Sequence, residues 1–581
     1  MLVASKVERK MATIIADNII SPLGYTTKDN YRAVKSGKTA LCHYSNMEGV
    51  PFSFTASLFS EEQRAKLQIQ GYTFFESLAI NSIRSALEQV NIDLHKTILI
   101  ISSTKANVDL LTRNHTDENI LSPAVAAQKI ANAIGIKNCP VVVSNACISG
   151  VSAILLAQRL IAINSYDNCI VCGVDHQSPF IISGFQSLKA LSEDYCRPFD
   201  IERLGLNLGE AAATIIVSKE EPLKNNKWEI VSGAIRNDAY HISSPSPQGE
   251  GCMNAISYTL QDINQEVLAL LNAHGTATMY NDQMESKAIS NAGLSDIPVN
   301  ALKGYYGHTM GAAGVLETIL TMCSIDDNII LGTKGFEELG VSGRICLTTE
   351  NLQTNKRDFV KIISGFGGCN GAIHLSKTGA YANVNVDRIK TNITHSIQIN
   401  QDGVTIDGSP LLVNVRGKEL LTYLYKTHIG NYPRFYKMDG LAKLGFIAAE
   451  LLHQKENLED FPSNNRAIVF FNKYSSLNAD MTYMKSITDM ENYFPSPSEF
   501  VYTLPNIVCG EIAIRHNYKG ETCFYILPEE DEDRIQSIIQ STFYDRKTKS
   551  VICGWLEYEN DNKFNASINI ITNNGRTYFT N

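Results

Sequence analysis

PVVVSNACISGVSAILLAQRLIAINSYDNCIVCGVD, residues 140–175, holds the pattern that decides the fold. A β-branched run (140–145) stops at a turn of small residues, a long apolar helical stretch follows, and a second β-rich run (168–175) closes the unit. The alternation continues outward. TIIAD (13–17), TILIIS (97–102) and ATIIV (213–217) read as strands, and FFESLAINSIRSALEQV (74–90) has helical periodicity. A second set runs through 228–376 and ends in VKIISGFGGCNGAIHLS. Strands alternating with amphipathic helices predict βαβ units around a largely parallel sheet, an α/β fold.

At 581 residues the chain is too long for one ordinary domain. Its 44% hydrophobic and 19% charged residues suit a protein that buries a large core. The net charge of -9 argues against nucleic acid as main ligand, because a phosphate-binding surface needs clustered Lys and Arg. Thirteen cysteines are scattered through apolar segments, which points to a reducing cytoplasm rather than a disulfide scaffold. Cys169 and Cys172 make a CxxC, but residues three apart on a strand face opposite ways, so both are expected in the core. No run of about eighteen apolar residues predicts a membrane span. Residues before Met11 read as a dispensable leader without a signal peptide's apolar region.

Cys147 follows a strand and precedes Ser149, Gly150 and an apolar helix. A thiol there meets free N–H groups and the positive end of the helix dipole, which favour its thiolate and make it a nucleophile for thioesters. NAHGTATMYNDQMES places His274 in a Gly-containing turn, and ALKGYYGHTMGAAG places Lys303 and His308 in another. One such histidine is usually a core or surface residue. Two of them with a poised Cys are not so easily dismissed.

These motifs, with GFQSLKALS, CRPFDIERLGLNLGE and the terminal GFGGCN, resemble the β-ketoacyl-acyl-carrier-protein synthases of the thiolase superfamily over roughly residues 12–376. The resemblance implies a thiolase-like αβαβα arrangement of two related βαβ halves, 12–220 and 228–376. It implies that Cys147 takes an acyl group and that His274 and His308 bind the carbonyl of a malonyl thioester whose decarboxylation gives the attacking carbanion. Backbone N–H groups of Cys147 and of a residue in GFGGCN would form a second oxyanion hole. Thr276 and Thr278 would hold a phosphopantetheine arm, Phe366 would gate the site, and Gly367 and Gly368 would let the backbone approach substrate. Lys303 and Glu210 are expected as a buried supporting pair. No cofactor is expected beyond the phosphopantetheine carried by an acyl carrier protein, the implied partner. GEAAA where GEGAG is usual, and Ser364 where an aromatic residue is usual, loosen any inference about the acyl pocket.

After about residue 377 the texture becomes polar and Asn-rich, read as a connector or edge hairpins over 377–430. The first pattern then returns. Residues 435–452 echo 74–90, AIVFFNKYS (467–475) echoes TILIISSTK, and KSVICGWLEY (549–558) echoes DNCIVCGVDH. Residues 431–581 are therefore expected as a third, related half-domain. Its nucleophile position falls near Glu529, in PEEDEDRIQSII, with Pro528 in the first turn of a helix. Lacking counterparts of HGTAT and GHTMGAAG, it should be catalytically dead and resembles chain-length-factor-like partners. Three functions stay open: a condensing enzyme of fatty acid, polyketide or aryl polyene synthesis, working as a homodimer or with a related subunit; a non-catalytic partner; and a thiolase acting on coenzyme A thioesters.

Overall fold

A computed structural model describes residues 12–113, 117–219, 228–377, 389–456 and 462–573. The expected leader before Met11 lies outside them. Among the described residues no helix is long and apolar enough to cross a membrane.

Three sheets share one topology. In the first, β1 (Thr13–Ile20), β2 (Thr97–Ser102), β3 (Val141–Val143), β4 (Asn168–Asp175) and β5 (Ala211–Ser218) lie in the order β3-β2-β4-β5-β1. β3, β2 and β4 are parallel, and β5 is antiparallel to both its neighbours. The second sheet repeats this as β8-β7-β9-β10-β6, with β6 (Trp228–Asn237), β7 (Leu268–Asn272), β8 (Pro298–Asn300), β9 (Asp358–Gly365) and β10 (Cys369–Ser376). The third repeats it again as β13-β12-β14-β15-β11, with β11 (Thr391–Asn400), β12 (Arg466–Asn472), β13 (Thr522–Ile526), β14 (Ser550–Asn560) and β15 (Lys563–Asn573).

β11 corrects the expected boundary. Part of the segment read as a 377–430 connector is the first strand of the third sheet, so that unit begins near 391 rather than 431. β11 pairs with β15 on one side and a short hairpin strand on the other, and much of its length faces solvent with polar side chains. That polar exposure hid it among loop-like residues.

Helices complete the layers. α1 (Phe74–Leu87) covers one face of the first sheet and α2 (Ser149–Ala162) the other. α3 (Met279–Asn291) packs on the outer face of the second sheet, and α4 (Ala313–Asp326) shares the central layer with α2. The two central helices cross tightly: a Cβ on Gly150 would stand 2.9 Å from the Cα of Gly314. In the third unit α5 (Gly440–His453) and α6 (Ile507–His516) cover one face, and α7 (Glu532–Thr542) lies on the other against α2. Cys169 and Cys172 are buried on opposite faces of β4, in different core clusters.

The third unit extends the first sheet. β13 pairs antiparallel with β3 through Tyr525↔Val143 and Ile526↔Val142, and Ser144 N–H donates to the Phe524 carbonyl at 3.1 Å. Arg159 of α2 grips Glu521 with two 2.7 Å bonds, both side chains being buried. α7 begins at Glu532 with Asp531 as its N-cap, so Pro528 and Glu529 precede the helix instead of opening it, and Glu529 is exposed. Replacing Arg159 by Met should leave the Glu521 carboxylate buried and unpaired, at a cost of roughly 3–5 kcal/mol. Thermal denaturation should show a lowered Tm, and an R159M/E521L double variant should recover most of it.

Candidate active site

Cys147 stands at a sharp elbow between β3 and α2. Ala146 takes a left-handed conformation (φ 49°), and residues Ala146–Ile148 form a tight turn leading into α2. Ser149 Oγ accepts from the Asn145 N–H at 2.8 Å and donates to the Ala146 carbonyl at 2.6 Å, which locks the elbow. At the head of a helix the amides have no carbonyl one turn back, so the Cys147 N–H is placed to bind an oxyanion. The thiol is only 8% exposed. Burial pushes it up to about 12, against the pull of the nearby Lys303 charge. The helix-end position suggested a stabilised thiolate; desolvation outweighs it, and the resting group is a thiol.

His274 lies in the turn after β7. Glu285 of α3 accepts from the N–H groups of His274 (2.5 Å) and Gly275 (2.8 Å), and Asp282 accepts from those of Thr276 (3.0 Å) and Ala277 (3.1 Å). Gly275 has φ +46°, and a Cβ there would meet Ala301 at 2.4 Å, so the turn admits only glycine. His308 is fixed through its backbone N–H to the Asn207 carbonyl at 2.7 Å. Met310 N–H donates to His308 Nδ1 at 3.2 Å, which leaves the ring proton on Nε2. That Nε2 is buried without a protein partner. The two rings stand 5.1 Å apart, nearly perpendicular. Burial holds both imidazoles well below their ordinary range, helped by Lys303 and Lys361. Both are therefore neutral near pH 7.

The structure brings the predicted trio together: Cys147 Sγ and one ring nitrogen each of His274 and His308 lie within 4.8 Å of one another. A thiol and two imidazoles could in principle ligate a cation. Two adjacent ammonium groups and a protonated thiol make this site a poor one for it. A second cluster, Glu450, His453 and His516, joins α5 to α6. Arg515 already lies 3.2 Å from the Glu450 carboxylate, and Tyr518 bonds His453 at 2.8 Å, so it reads as a satisfied brace.

The expected Lys303–Glu210 pair does not form. Lys303 Nζ donates to Glu317 Oε1 of α4 and to the His274 carbonyl, each at 2.7 Å. Glu210 instead accepts from the N–H groups of Phe59 (2.7 Å) and Gln177 (2.9 Å) and pairs with Arg64. α4 carries Glu317 directly beneath Lys303, whereas Glu210 faces the helix that bears Arg64. Glu317 and a second lysine, Lys361, escaped the sequence reading. Their signal was present: each is a lone charge in an apolar run, VLETILTM and FVKIIS.

Thr276 and Thr278 sit together, their hydroxyls 2.9 Å apart, with Thr278 partly exposed. Phe366 is half-buried and stacks on Phe185. Gly367 and Gly368 both take left-handed backbone (φ +86° and +71°). Ser364 turns to Asn370, donating at 2.7 Å. A narrow apolar pocket beside Cys147 is lined by Ala146, Ile181, Phe185, Met310, Phe366 and the stems of Thr104 and Lys105, and by Phe500 and Leu504 of the third unit. The third unit also holds the Phe366 loop: Asn506 Nδ2 donates to the Phe366 carbonyl at 2.8 Å.

The model of the Beta-ketoacyl synthase, N-terminal domain matches residues 16–222, and that of the Beta-ketoacyl synthase, C-terminal domain matches 228–337, together more than half of the chain. The chain belongs to the β-ketoacyl synthase family. A 3-oxoacyl-[acyl-carrier-protein] synthase 2 from Coxiella burnetii is 28% identical over 411 residues, covering 99% of that protein and 64% of this chain. A putative mitochondrial 3-oxoacyl-[acyl-carrier-protein] synthase from Schizosaccharomyces pombe is 25% identical, covering 99% of itself and 63% of this chain. Among solved structures, PfaC Keto synthase-Chain length factor superimposes with a TM-score of 0.76 over 97% of this chain and 78% of its own, at 13% identity. The ishigamide ketosynthase/chain length factor gives 0.57 over 64% of this chain and 100% of its own, at 20% identity. At those identities the superpositions speak for the fold.

The protonated, buried state of Cys147 can be tested by alkylation. In the free enzyme the exposed Cys42 and Cys346 should react with iodoacetamide first, and Cys147 labelling should rise with pH without a plateau below about pH 10. Peptide mass spectrometry across pH would read this.

Proposed function

We propose that the chain catalyses decarboxylative Claisen condensation between an acyl group on Cys147 and a malonyl group on an acyl carrier protein. The observation that carries this is the Cys-His-His cluster, with one ring nitrogen of each histidine within 4.8 Å of Cys147 Sγ and the His308 Nε2–H buried without a protein partner. Acyl transfer to Cys147 exchanges one thioester for another, the thiol's proton ending on the departing phosphopantetheine thiol. The malonyl carbonyl then lies against the two histidines. As CO2 leaves, negative charge gathers on that oxygen, and neutral N–H donors fixed in a dry site stabilise it. The carbanion carbon attacks the acyl-Cys carbonyl, whose oxyanion is held by the Cys147 amide and one from the Phe366 loop. Collapse gives a β-ketoacyl thioester and returns Cys147, which regains a proton from solvent. The carrier's phosphopantetheine arm is substrate here, passing Thr276 and Thr278.

The thiolase reading needs a second cysteine as acid and base. Cys369 is nearby, but its Sγ lies 3.1 Å from the Phe366 carbonyl and is buried. That engagement favours the condensing direction. A purely non-catalytic role is disfavoured by the complete Cys-His-His set.

Residues 391–573 act, in this reading, as a built-in partner that occupies the β3 edge and shapes the acyl pocket through Phe500 and Leu504. It is a partner in the manner of a chain length factor, and it would make a second copy unnecessary at that edge. Whether the acyl chain is saturated or polyene is left to product analysis.

With a carboxylate-labelled malonyl carrier, the intact chain should release labelled CO2 and Cys147→Ala should transfer no acyl group; full condensation by that variant overturns the assignment. Phe500→Ala should lengthen the products read by mass spectrometry. Truncation after residue 377 should expose the β3 edge and change oligomeric state and product length. A truncated chain equal to the full chain in both would sink the built-in partner.

A further inference from the structure

Beneath the His274 turn two lysines share one carboxylate. Lys303 Nζ bonds Glu317 Oε1 and the His274 carbonyl, each at 2.7 Å. Lys361 Nζ pairs with Glu317 Oε2 and donates to the Ala273 carbonyl at 3.1 Å. Two consecutive carbonyls are thus pinned by two ammonium groups, while Glu285 holds the N–H groups of His274 and Gly275 from the other side. Lys361 belongs to β9, the strand that ends at Gly365 and delivers the Phe366 loop, and in the ladder it faces Asn272 of β7. One side chain therefore ties the His274 turn to the strand of the gating loop.

Fold stability gives no reason for this choice. Lys361 is fully buried, and a neutral side chain of similar volume would avoid the desolvation cost of an ammonium there. Burial lowers Lys361 to about 8, so near neutral pH two ammonium groups share the Glu317 carboxylate under both imidazoles. We infer that Lys361 is a positioning residue for the condensation: it fixes the His274 turn against β9 and, with Lys303, supplies the charge that keeps both histidines as N–H donors. This rests on the synthase reading above. Its charge acts on a defined set of groups. His274 and His308 face Lys303 and Lys361; Glu285 and Asp282 face them from α3, both raised from their ordinary range by burial; Cys147 faces Lys303 and Asp175. Glu317 alone is held below the carboxylate range, since the two ammonium groups outweigh its burial.

The sign follows. Removing a nearby positive charge makes protonation of the imidazoles easier, so the neutral donor form is lost at a higher pH. In the full chain, Lys361→Met should move the acid limb of the condensation rate to higher pH by about one unit, read as the pH at which the rate falls to half its plateau on the acid side. Lys361→Arg should keep the limb in place. Titration of 13C-labelled histidines by NMR, without substrate, should show His274 and His308 moving upward by the same amount in the Met variant. A folded Met variant with both limb and resonances unmoved overturns the inference, and so does an Arg variant shifted as far as the Met one. If the Met variant does not fold, the native chain decides: resonances of His274 and His308 titrating at or above the ordinary imidazole range overturn it. Normal histidine behaviour with no condensation at any pH would instead fault the synthase reading.

Discussion

Everything around Cys147 depends on what covers the outer edge of β3. That strand is only Val141–Val143, yet its end carries the elbow of the nucleophile. An open edge would present unpaired amides and carbonyls beside a site that works by excluding water. β13 supplies the missing partners through an antiparallel ladder, and the buried Arg159–Glu521 pair fixes it against α2. The same contact lays α6 on the GFGG loop so closely that a Cβ on Gly510 would stand 2.8 Å from the Gly367 carbonyl. Cys147, the Phe366 loop and the pocket wall are thus all referenced to one edge pairing.

Inside that frame the electrostatics divide the work. Burial alone lowers both imidazoles and raises the thiol, so it makes good neutral donors and a poor resting nucleophile at once. The lysine charges push the same way at the histidines and the opposite way at Cys147. In the condensation proposed above, their charge, tempered by Glu317, would assist both halves of the chemistry without a charged histidine. The Met310 amide completes the arrangement by choosing which His308 nitrogen carries the proton.

Much of this was legible in the residues. Cys147, His274 and His308 stand in turns whose glycines and small residues announce close backbone approach, and the strand-helix alternation fixes the topology around them. β11 was legible only as connector or edge hairpin, because half its length is solvated and its sheet partner β15 lies far along the chain. The pairing of Lys303 with Glu317 was not legible, since pattern tells which residues are buried and not which of two glutamates they meet. The protonated thiol was missed for a related reason. A helix end is visible in sequence, but the depth of burial that overrides it is a property of the packed chain.

The third unit covers its sheet differently from the first. In the first unit every residue of α2 is buried, because α4 and the second sheet cover it. α7 holds the equivalent place in the third, and among the described residues no second sheet covers it. Its buried residues are Ile538, Ile539, Ser541 and Thr542, while its first turn is Glu532 and Asp533. The exchange of ISGVSAILLAQ for EDEDRIQSIIQ is therefore more than the loss of a nucleophile. A helix apolar all round requires a second layer; an amphipathic one needs only the sheet beneath it and the flank of α2. On the synthase reading, the charged segment Glu529–Asp533 suits a position that need be neither apolar nor enclosed. The opposite part of the unit makes the contacts with the site: β13 at the shared edge, and the segment from Phe500 to Gly510 at the pocket and the Phe366 loop.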